Sequence, residues 1–383
     1  MFNQNEMPII AHSVPTWLPM TMTWVYNQIK YQKNFKSIVF ANYVHNLEHF
    51  PFIPIYGSSK KYAFWLNLVF KKLRIKNYPF IYDRAVTKHQ PIILHSHFGD
   101  RGWYDLSLAK KHNLKHIVTF YGYDVNMLPT QKPIWKKRFK ELFQKADLIL
   151  CEGPYMAISI EQLGCPKEKI NIQPLGIEIN KISFQPRKWV KDSELNILIS
   201  GTFKEKKGIP YALETIGHLI NDGINIKCTI IGDSLNDKRS KIERKKIINI
   251  IEKYQIKDRI KMIGFQPSNV LFEEAYKNHI FCSPSVTALD GDTEGGAPVA
   301  IIEMAASGMP IISTLHCDIP NVLGKINRDL LVQERSVEQL VNAFKKLFAM
   351  DWNNLISENR NYIISQHNIE NTSKSLDKIY QNL

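Results

Sequence analysis

The chain lacks the long apolar runs that membrane-spanning helices require. Its 383 residues are 44% hydrophobic, yet no stretch approaches the roughly 18 uninterrupted apolar residues of a membrane span. No secretory signal opens the sequence. The five cysteines are scattered, odd in number and without the paired spacing of a zinc site. These absences predict a protein of the reducing cytoplasm without a structural metal, and the length predicts two domains.

Internal repeats, low-complexity tracts and a Gly-x-Gly-x-x-Gly fingerprint after a strand are also missing. Their absence argues against a solenoid and a dinucleotide-dependent oxidoreductase. Acidic residues are scarce in one region: residues 30–145 hold 21 Lys/Arg and 6 Asp/Glu, a balance of +15 in a chain whose net charge is +14. Such a patch attracts nucleic acid, anionic lipid headgroups or a phosphorylated acceptor. Because no nucleic-acid-binding module accompanies it, we predict no nucleic-acid partner.

Within this basic region, helical periodicity predicts an amphipathic helix over 60–76. Aromatic and aliphatic residues share one face of it, and lysines and an arginine flank that face. A basic amphipathic helix of this kind lies flat on an anionic bilayer. An ordinary domain helix with its apolar side on a sheet is the alternative.

The most informative stretch is 290–310, where an acidic, glycine-rich loop runs directly into a short helix. Pro298 suits the first helical turn, and the glycines at 295 and 296 let the backbone approach a ligand closely. The N–H groups of a helix start favour a phosphate. With Glu294 in the loop and Glu303 more than a turn into the helix, the spacing fits a pyrophosphate, a sugar and a ribose. A surface loop followed by a core helix is the alternative.

The loop's Glu-Gly-x-Pro, the second Glu and the Met-Ala-Ala-x-Gly-x-Pro that follows it resemble the signature of retaining glycosyltransferases of family 4 (glycosyl transferases group 1). Eight residues separate Glu294 from Glu303, one more than is usual in the family. The resemblance implies an α/β protein of the GT-B fold, in which two doubly wound Rossmann-like domains face a central cleft. A polar stretch near 180–194 is the predicted linker.

We therefore predict an acceptor domain at 1–185 and a nucleotide-sugar donor domain at 186–364. A terminal helix at about 365–383 is expected to pack back on the first domain.

A second phosphate loop is predicted where a strand, a glycine, a basic turn and a helix follow one another over 195–208. It resembles the family's loop in which an arginine and a lysine neutralise the leaving diphosphate. Lys207 keeps the lysine, Lys206 can share its role, and Thr202 stands in place of the arginine. The resemblance implies a donor-binding set of Thr202, Lys206, Lys207, Gly295, Gly296, Ala297, Pro298 and Glu303.

In the N-terminal half, two predicted strands end in polar clusters, and the carboxyl ends of strands are where open α/β sheets bind ligands. His95 and His97 follow the first strand and Tyr121 and Asp124 the second. We expect the two histidine rings to point to opposite faces of the strand, poorly placed to share a metal.

The family resemblance implies that His97 and Asp124 act with Glu294 on the catalytic side. Tyr121 occupies a position where the family commonly has a histidine, and it is expected on the acceptor side together with Trp17. Core packing is the alternative for Trp17, a structural histidine for His97, and a turn cap for Asp124.

The sequence thus predicts a retaining transferase that moves a sugar from a UDP- or GDP-sugar to a saccharide or polyprenyl-linked acceptor. The expected setting is surface-polysaccharide synthesis in the cytoplasm or at the inner face of the plasma membrane. Neither a metal nor another cofactor is predicted. A nucleotide-sugar epimerase of the GT-B plan is the alternative, followed by a basic nucleic-acid-binding protein. Donor base, donor sugar, acceptor and linkage stay open.

Overall fold

The structure is a computed structural model that describes residues 7–19, 22–57, 78–296 and 298–383. The predicted helix at 60–76 and the predicted site residue Ala297 lie outside the described residues. The chain divides into two compact domains, one formed by residues 1–177 and 367–383 and the other by residues 178–366. None of the described helices combines the length and apolarity that crossing a membrane requires.

The N-terminal domain is built on a parallel sheet of seven strands in the order β3-β2-β1-β4-β5-β6-β7. The strands are β1 (Ile9–Trp17), β2 (Lys36–Val44), β3 (Ile55–Gly57), β4 (Ile93–His97), β5 (Lys115–Thr119), β6 (Leu148–Cys151) and β7 (Ile170–Ile172). The order reverses between β1 and β4, so a topological switch point lies between them. Open α/β sheets bind ligands beside the strand ends at such points.

Helices cover the faces of this sheet, as parallel strands buried on both sides require. They are α1 (Thr23–Lys30), α2 (Phe80–His89), α3 (Gly99–His112), α4 (Leu128–Gln131), α5 (Ile134–Lys145), α6 (Pro154–Gln162) and, from the end of the chain, α14 (Ile369–Gln381). Leu376 and Tyr380 of α14 are buried against strand residues of this domain, Ile10 and Ile93 among them. The C-terminal helix is therefore an integral part of the N-terminal domain.

The C-terminal domain has a parallel sheet of six strands in the order β10-β9-β8-β11-β12-β13. Its strands are β8 (Leu195–Ser200), β9 (Ile226–Ile231), β10 (Ile260–Met262), β11 (Ile280–Ser283), β12 (Ile311–Thr314) and β13 (Leu331–Val332). Its helices are α7 (Ile209–Asn221), α8 (Lys238–Lys253), α9 (Ser268–Ala275), α10 (Val299–Ala306), α11 (Ile319–Leu323), α12 (Val337–Ala349) and α13 (Trp352–His367). Here the switch point lies between β8 and β11.

The domain boundaries fall at 177/178 and 366/367, where the sequence predicted 185/186 and 364/365. The physical reason at the first boundary is that residues just after 177 pack on the C-terminal domain. The Gln185 N–H donates to the Ser307 carbonyl at 3.0 Å. Buried Arg187 donates from Nη1 to the same carbonyl at 2.9 Å. The stretch that polarity marked as a linker is thus partly anchored.

Candidate active site

Two loops meet at the switch point of the C-terminal sheet. One follows β8 and covers 201–208; the other follows β11 and covers 284–298. The Val286 N–H donates to the Lys206 carbonyl at 2.9 Å. Gly208 has a φ of 63°, and a Cβ added to it would lie 1.8 Å from the Pro284 carbonyl oxygen, so only glycine permits this approach. The predicted phosphate loop and the acidic loop therefore lie side by side.

Lysines of the first loop hold the acidic side chains of the second. Lys206 Nζ lies 3.1 Å from Asp292 Oδ1 and donates to the Thr293 carbonyl at 2.8 Å. Burial alone would lower the pKa of Lys206, but the carboxylates of Glu294 and Asp292 raise it above its ordinary value. Lys207 Nζ donates to Glu294 Oε2 at 2.9 Å. Both ammonium groups thus lie beside the acidic loop, where the predicted diphosphate would bind.

Glu294 has one oxygen in use and one without a partner. Its side chain is only 6% exposed, and Oε2 accepts from Lys207. Oε1 is buried, and no described residue donates to it. Burial alone would raise the pKa of Glu294, but Lys207 and Lys206 hold it below its ordinary value. An ionised, nearly buried carboxylate with a vacant acceptor oxygen is suited to receive a hydroxyl group.

Two glycines follow Glu294 on the way to α10. Gly295 and Gly296 are buried, and Gly295 has a φ of 76° that favours glycine. The Gly295 N–H already donates to Thr293 Oγ1 at 3.1 Å. Pro298 caps α10 instead of starting its first turn, because its ψ of 129° is extended. Thr202 is half-buried in the neighbouring loop.

Glu303 lies in the middle of α10 and is half-buried. Burial raises the pKa of its carboxyl to about 7. No described cation forms an ion pair with it, in contrast to Glu294 with its lysine. The two carboxyl groups therefore differ in pKa. The neighbouring lysines lower the pKa of Glu294, whereas the burial of Glu303 without such a cation among the described residues raises its pKa.

At the switch point of the N-terminal sheet, three histidines are stacked in the core. His12 on β1 and His95 and His97 on β4 are all fully buried, and the rings of His95 and His97 lie 4.4 Å apart. The prediction that these two rings point to opposite faces is wrong, because successive side chains alternate and residues two apart share a face.

A continuous hydrogen-bonded chain passes through these rings. In order, it joins Tyr121 Oη, His97 (2.7 Å), His12 (3.2 Å), Gln32 (3.4 Å), Tyr380 Oη (3.2 Å), His95 (2.6 Å) and Thr119 Oγ1 (2.6 Å).

The amide of Gln32 fixes the direction of the chain. Its oxygen only accepts, so His12 carries its proton on Nε2 and accepts at Nδ1 from His97 Nε2–H. His97 Nδ1 is then an acceptor for the Tyr121 hydroxyl. Burial lowers the pKa of His12 to about 4 and that of His97 well below its ordinary value. These rings are neutral near pH 7.

The same rings are the described residues best placed to hold a metal ion, since one nitrogen from each lies within 4.8 Å of the others. Such binding would need His95 to give up its contact with Thr119 or Tyr380, and His97 and His12 to part. The hydrogen-bonded chain accounts for all six ring nitrogens without an ion.

Three predicted residues of the N-terminal domain are placed differently from expectation. Trp17 is fully buried and its Nε1–H donates to the Phe50 carbonyl at 3.0 Å, so it packs in the core and offers no face to a sugar. His97 is likewise fully buried, and both of its ring nitrogens are hydrogen-bonded within the domain. Asp124 is fully buried and accepts from the N–H groups of Gly99, Tyr121 and Gly122. These contacts are the ones expected for the alternative of a turn cap, and the catalytic role of Asp124 stays a prediction.

Tyr121 is 8% exposed at one end of the hydrogen-bonded chain. No sequence pattern distinguishes His12 and Tyr380, which lie 85 and 285 residues from their partners His97 and His95. In the C-terminal domain, two further residues contact the acidic loop. His316, in a turn, accepts from the Glu294 N–H, and the more distant Glu334 accepts from the Thr287 N–H and contacts His316. Only the turn was noticeable in sequence, as a His-Cys-Asp-Ile-Pro motif after β12.

Each of the two domains is doubly wound on a parallel sheet, and the second has its lysine and glutamate loops at the switch point. This is the architecture of the GT-B class. The Anabaena protein HepE, solved in complex with UDP, matches with a TM-score of 0.77 at 12% identity over 98% of this chain and all of that one. A sucrose-phosphate synthase from Thermosynechococcus elongatus matches with a TM-score of 0.74 at 16% identity over 98% of both chains. These likenesses establish the fold.

Family profiles make the assignment narrower. The profile "Glycosyltransferase Family 4" matches residues 42–181, and "Glycosyl transferases group 1" matches residues 181–368. The chain belongs to glycosyltransferase family 4, the glycosyl transferases group 1.

Curated relatives agree with this family. A protein of Escherichia coli K12 described as a colanic acid biosynthesis glycosyltransferase, WcaL, is 30% identical over 275 residues, which are 70% of this chain and 64% of that protein. The amylovoran biosynthesis glycosyltransferase AmsK of Erwinia amylovora is 32% identical over 209 residues, or 55% and 49% of the two chains. The chain thus spans about two thirds and about half of these relatives.

Proposed function

We propose that this protein transfers a sugar from a nucleotide-sugar to a saccharide or lipid-linked saccharide in the synthesis of a surface polysaccharide, with retention at the anomeric carbon. The observation that carries the proposal is the Glu294 carboxylate, which is ionised, almost buried and short of one hydrogen-bond donor beside two charged lysines. A donor sugar hydroxyl supplies the missing donor. The names of the relatives support the setting in polysaccharide synthesis.

In the proposed reaction, the bond from the anomeric carbon to the diphosphate oxygen breaks, and a bond from that carbon to an acceptor oxygen forms on the same face. The leaving diphosphate takes the acceptor's proton, so no protein base is needed. Each ammonium group offers three donors. Lys207 uses one on Glu294, which leaves capacity to stabilise the charge that develops on the diphosphate.

Glu294 orients the sugar by accepting from its hydroxyl groups at Oε1. Glu303, further along α10, accepts from the two ribose hydroxyl groups. UDP is the first nucleotide to test, because the structural neighbours include HepE with UDP-glucose and a trehalose-6-phosphate synthase with UDP-2-fluoro glucose. GDP-sugars are the second.

The decisive experiment is a thermal-shift screen of UDP, GDP, their sugars and NAD. We expect one nucleotide series to stabilise the protein and NAD to have no effect, because a ligand of the folded state raises stability by mass action. The anomeric configuration of the product, followed by NMR, then tests retention. An inverted product would contradict the mechanism, and stabilisation by NAD alone would contradict the function.

The acceptor is proposed to be at the inner face of the plasma membrane, because the basic excess lies in the N-terminal half. The predicted helix at 60–76 is the proposed contact with anionic lipid. Neutralising Lys60, Lys61, Lys71 and Lys72 together should abolish sedimentation with anionic liposomes while leaving nucleotide binding unchanged. Unchanged sedimentation of that variant would refute the membrane contact.

A further inference from the structure

His316 lies beneath the acidic loop, in the turn that follows β12, and is only 1% exposed. Its Nδ1 is 2.6 Å from Glu334 Oε1. Its Nε2 is 3.1 Å from the backbone nitrogen of Glu294 and 3.1 Å from Cys317 Sγ. This imidazole therefore joins a carboxylate on one side to the backbone of the proposed sugar-binding residue on the other.

The partners determine which ring nitrogen carries the proton. A carboxylate only accepts, so Nδ1 donates to Glu334, and a backbone N–H only donates, so Nε2 accepts from Glu294. Burial alone would raise the pKa of Glu334, but hydrogen bonds from His316 and Thr287 hold it below its ordinary value. The tautomer of His316 therefore follows from the geometry of its two contacts.

The same carboxylate also holds the start of the loop. Glu334 Oε2 accepts from the Thr287 N–H at 2.8 Å, and Oε1 lies 3.2 Å from Thr287 Oγ1. The loop is therefore fixed near its beginning by Glu334 directly and near its end by His316. Between these points Leu289 is 90% exposed, whereas Ala288, Asp292 and Thr293 are buried. These two contacts, together with Lys206 at the Thr293 carbonyl, hold the backbone beside Glu294, whereas Lys207 holds its side chain.

Cys317, His316 and Glu334 also have the order and spacing of a nucleophilic Cys-His-Glu triad. Burial argues against this role, because it raises the pKa of the Cys317 thiol to about 12. A thiol that stays protonated is a weak hydrogen-bond donor, not a nucleophile. It gives Nε2 a second donor, which agrees with an unprotonated nitrogen there.

We infer that His316 is a positioning residue of the donor site: its Nε2 accepts from the backbone N–H of Glu294 and so aims the Glu294 carboxylate at the donor sugar. The inference rests on the proposed function. It concerns a side chain that touches no substrate and acts only through the backbone of Glu294.

Two conservative substitutions separate the contacts of the ring. In His316→Gln the amide oxygen reaches the position of Nε2 and keeps the Glu294 contact, while the contact with Glu334 is lost. In His316→Asn the amide nitrogen occupies the position of Nδ1 and keeps the Glu334 contact, while the Glu294 contact is lost. His316→Ala loses both. Thermal melting shows which variants are folded at the assay temperature.

The first readout is hydrogen exchange at the Glu294 amide in the protein without ligand. We expect wild type and His316→Gln to protect this amide, and His316→Asn and His316→Ala to lose protection by about tenfold, as expected for about 1.4 kcal/mol of lost hydrogen-bond energy. Equal protection in wild type and His316→Asn would overturn the inference without reference to any substrate.

The second readout is the KM and kcat for whichever of UDP-glucose and GDP-mannose stabilises the wild type. We expect His316→Gln within about threefold of wild type and His316→Asn reduced by at least about tenfold in kcat/KM, since small misplacements at a reacting centre are costly. A loss confined to His316→Gln would show that the Glu334 contact is what matters, and an equal loss in both variants would show that the Glu294 contact does not carry the effect by itself; either result would overturn the inference. If neither nucleotide-sugar binds the wild type, the proposed function fails, and the exchange experiment still decides whether His316 holds the loop.

Discussion

Nucleotide affinity should rise with pH through neutrality, because the proposed ribose ligand titrates there. Burial raises the pKa of Glu303 to about 7. A carboxylate accepts from both ribose hydroxyl groups, whereas its protonated form presents one good acceptor and a competing donor. The nucleotide thus binds the ionised form preferentially and lowers the pKa of this group. Binding must then release a proton wherever the free protein is still protonated.

The magnitude follows from the position of the pKa. With a value of about 7, the ionised fraction rises from roughly one tenth at pH 6 to roughly nine tenths at pH 8. Affinity for UDP should therefore increase by up to about tenfold over this range, and binding at pH 6.5 should release about 0.8 proton per nucleotide. The affinity for UDP falls on acidification, because the raised pKa of Glu303 means that its carboxyl group is already protonated below neutral pH.

Isothermal titration calorimetry in two buffers of different ionisation enthalpy measures the proton count directly. In Glu303→Gln the release should vanish and the pH dependence should flatten. In Glu294→Gln the release should persist although sugar binding weakens, because lysines already hold the pKa of Glu294 below its ordinary value. A proton count of zero in wild type, or an unchanged count in Glu303→Gln, would refute the reasoning.

Three further predictions concern charge, packing and metal. Lys207→Met leaves the nearly buried Glu294 carboxylate without its partner at 2.9 Å, so kcat/KM for the donor should fall by about tenfold to a hundredfold; a loss below twofold would contradict the assignment. Tyr380→Phe removes the hydroxyl that links Gln32 to His95 and should lower the free energy of unfolding in urea by about 1–3 kcal/mol; unchanged stability would show that the hydrogen-bonded chain does not stabilise the domain. Treatment with EDTA should leave donor turnover unchanged, and recovery by an added divalent cation would disprove metal independence.

The acidic loop was predictable from sequence because its chemistry is contiguous. Glu294, the glycines and Glu303 lie on one loop and one helix, so local rules on helix starts and turns suffice. The contact between Lys207 and Glu294, which was not predicted, follows from topology, because both loops leave the carboxyl ends of strands at a switch point. The two-domain GT-B fold and the family, which were predicted by resemblance, are confirmed.

The N-terminal cluster was not predictable in the same way. Its chain joins His12 to His97 and His95 to Tyr380, pairs that only the order of the sheet and the packing of the last helix bring together. The wrong prediction that His95 and His97 face opposite sides was avoidable from sequence alone, because strand alternation places residues two apart on one face. Trp17 shows a third limit of sequence-based prediction. The sequence pattern around an aromatic residue near a strand end is the same whether the side chain faces a ligand or the core.

The unusual spacing between Glu294 and Glu303 is explained by how each residue is fixed. Glu303 is fixed by α10, whose register cannot absorb an extra residue without rotating the side chain by about 100°. Glu294 is fixed from outside its own loop, by Lys207 at the side chain and by His316 at the backbone. An added residue between them is therefore accommodated in the segment before α10, where glycines allow the backbone to change course. The contacts that hold Glu294 come from the loops after β8 and β12, so its position does not depend on the number of residues between it and α10.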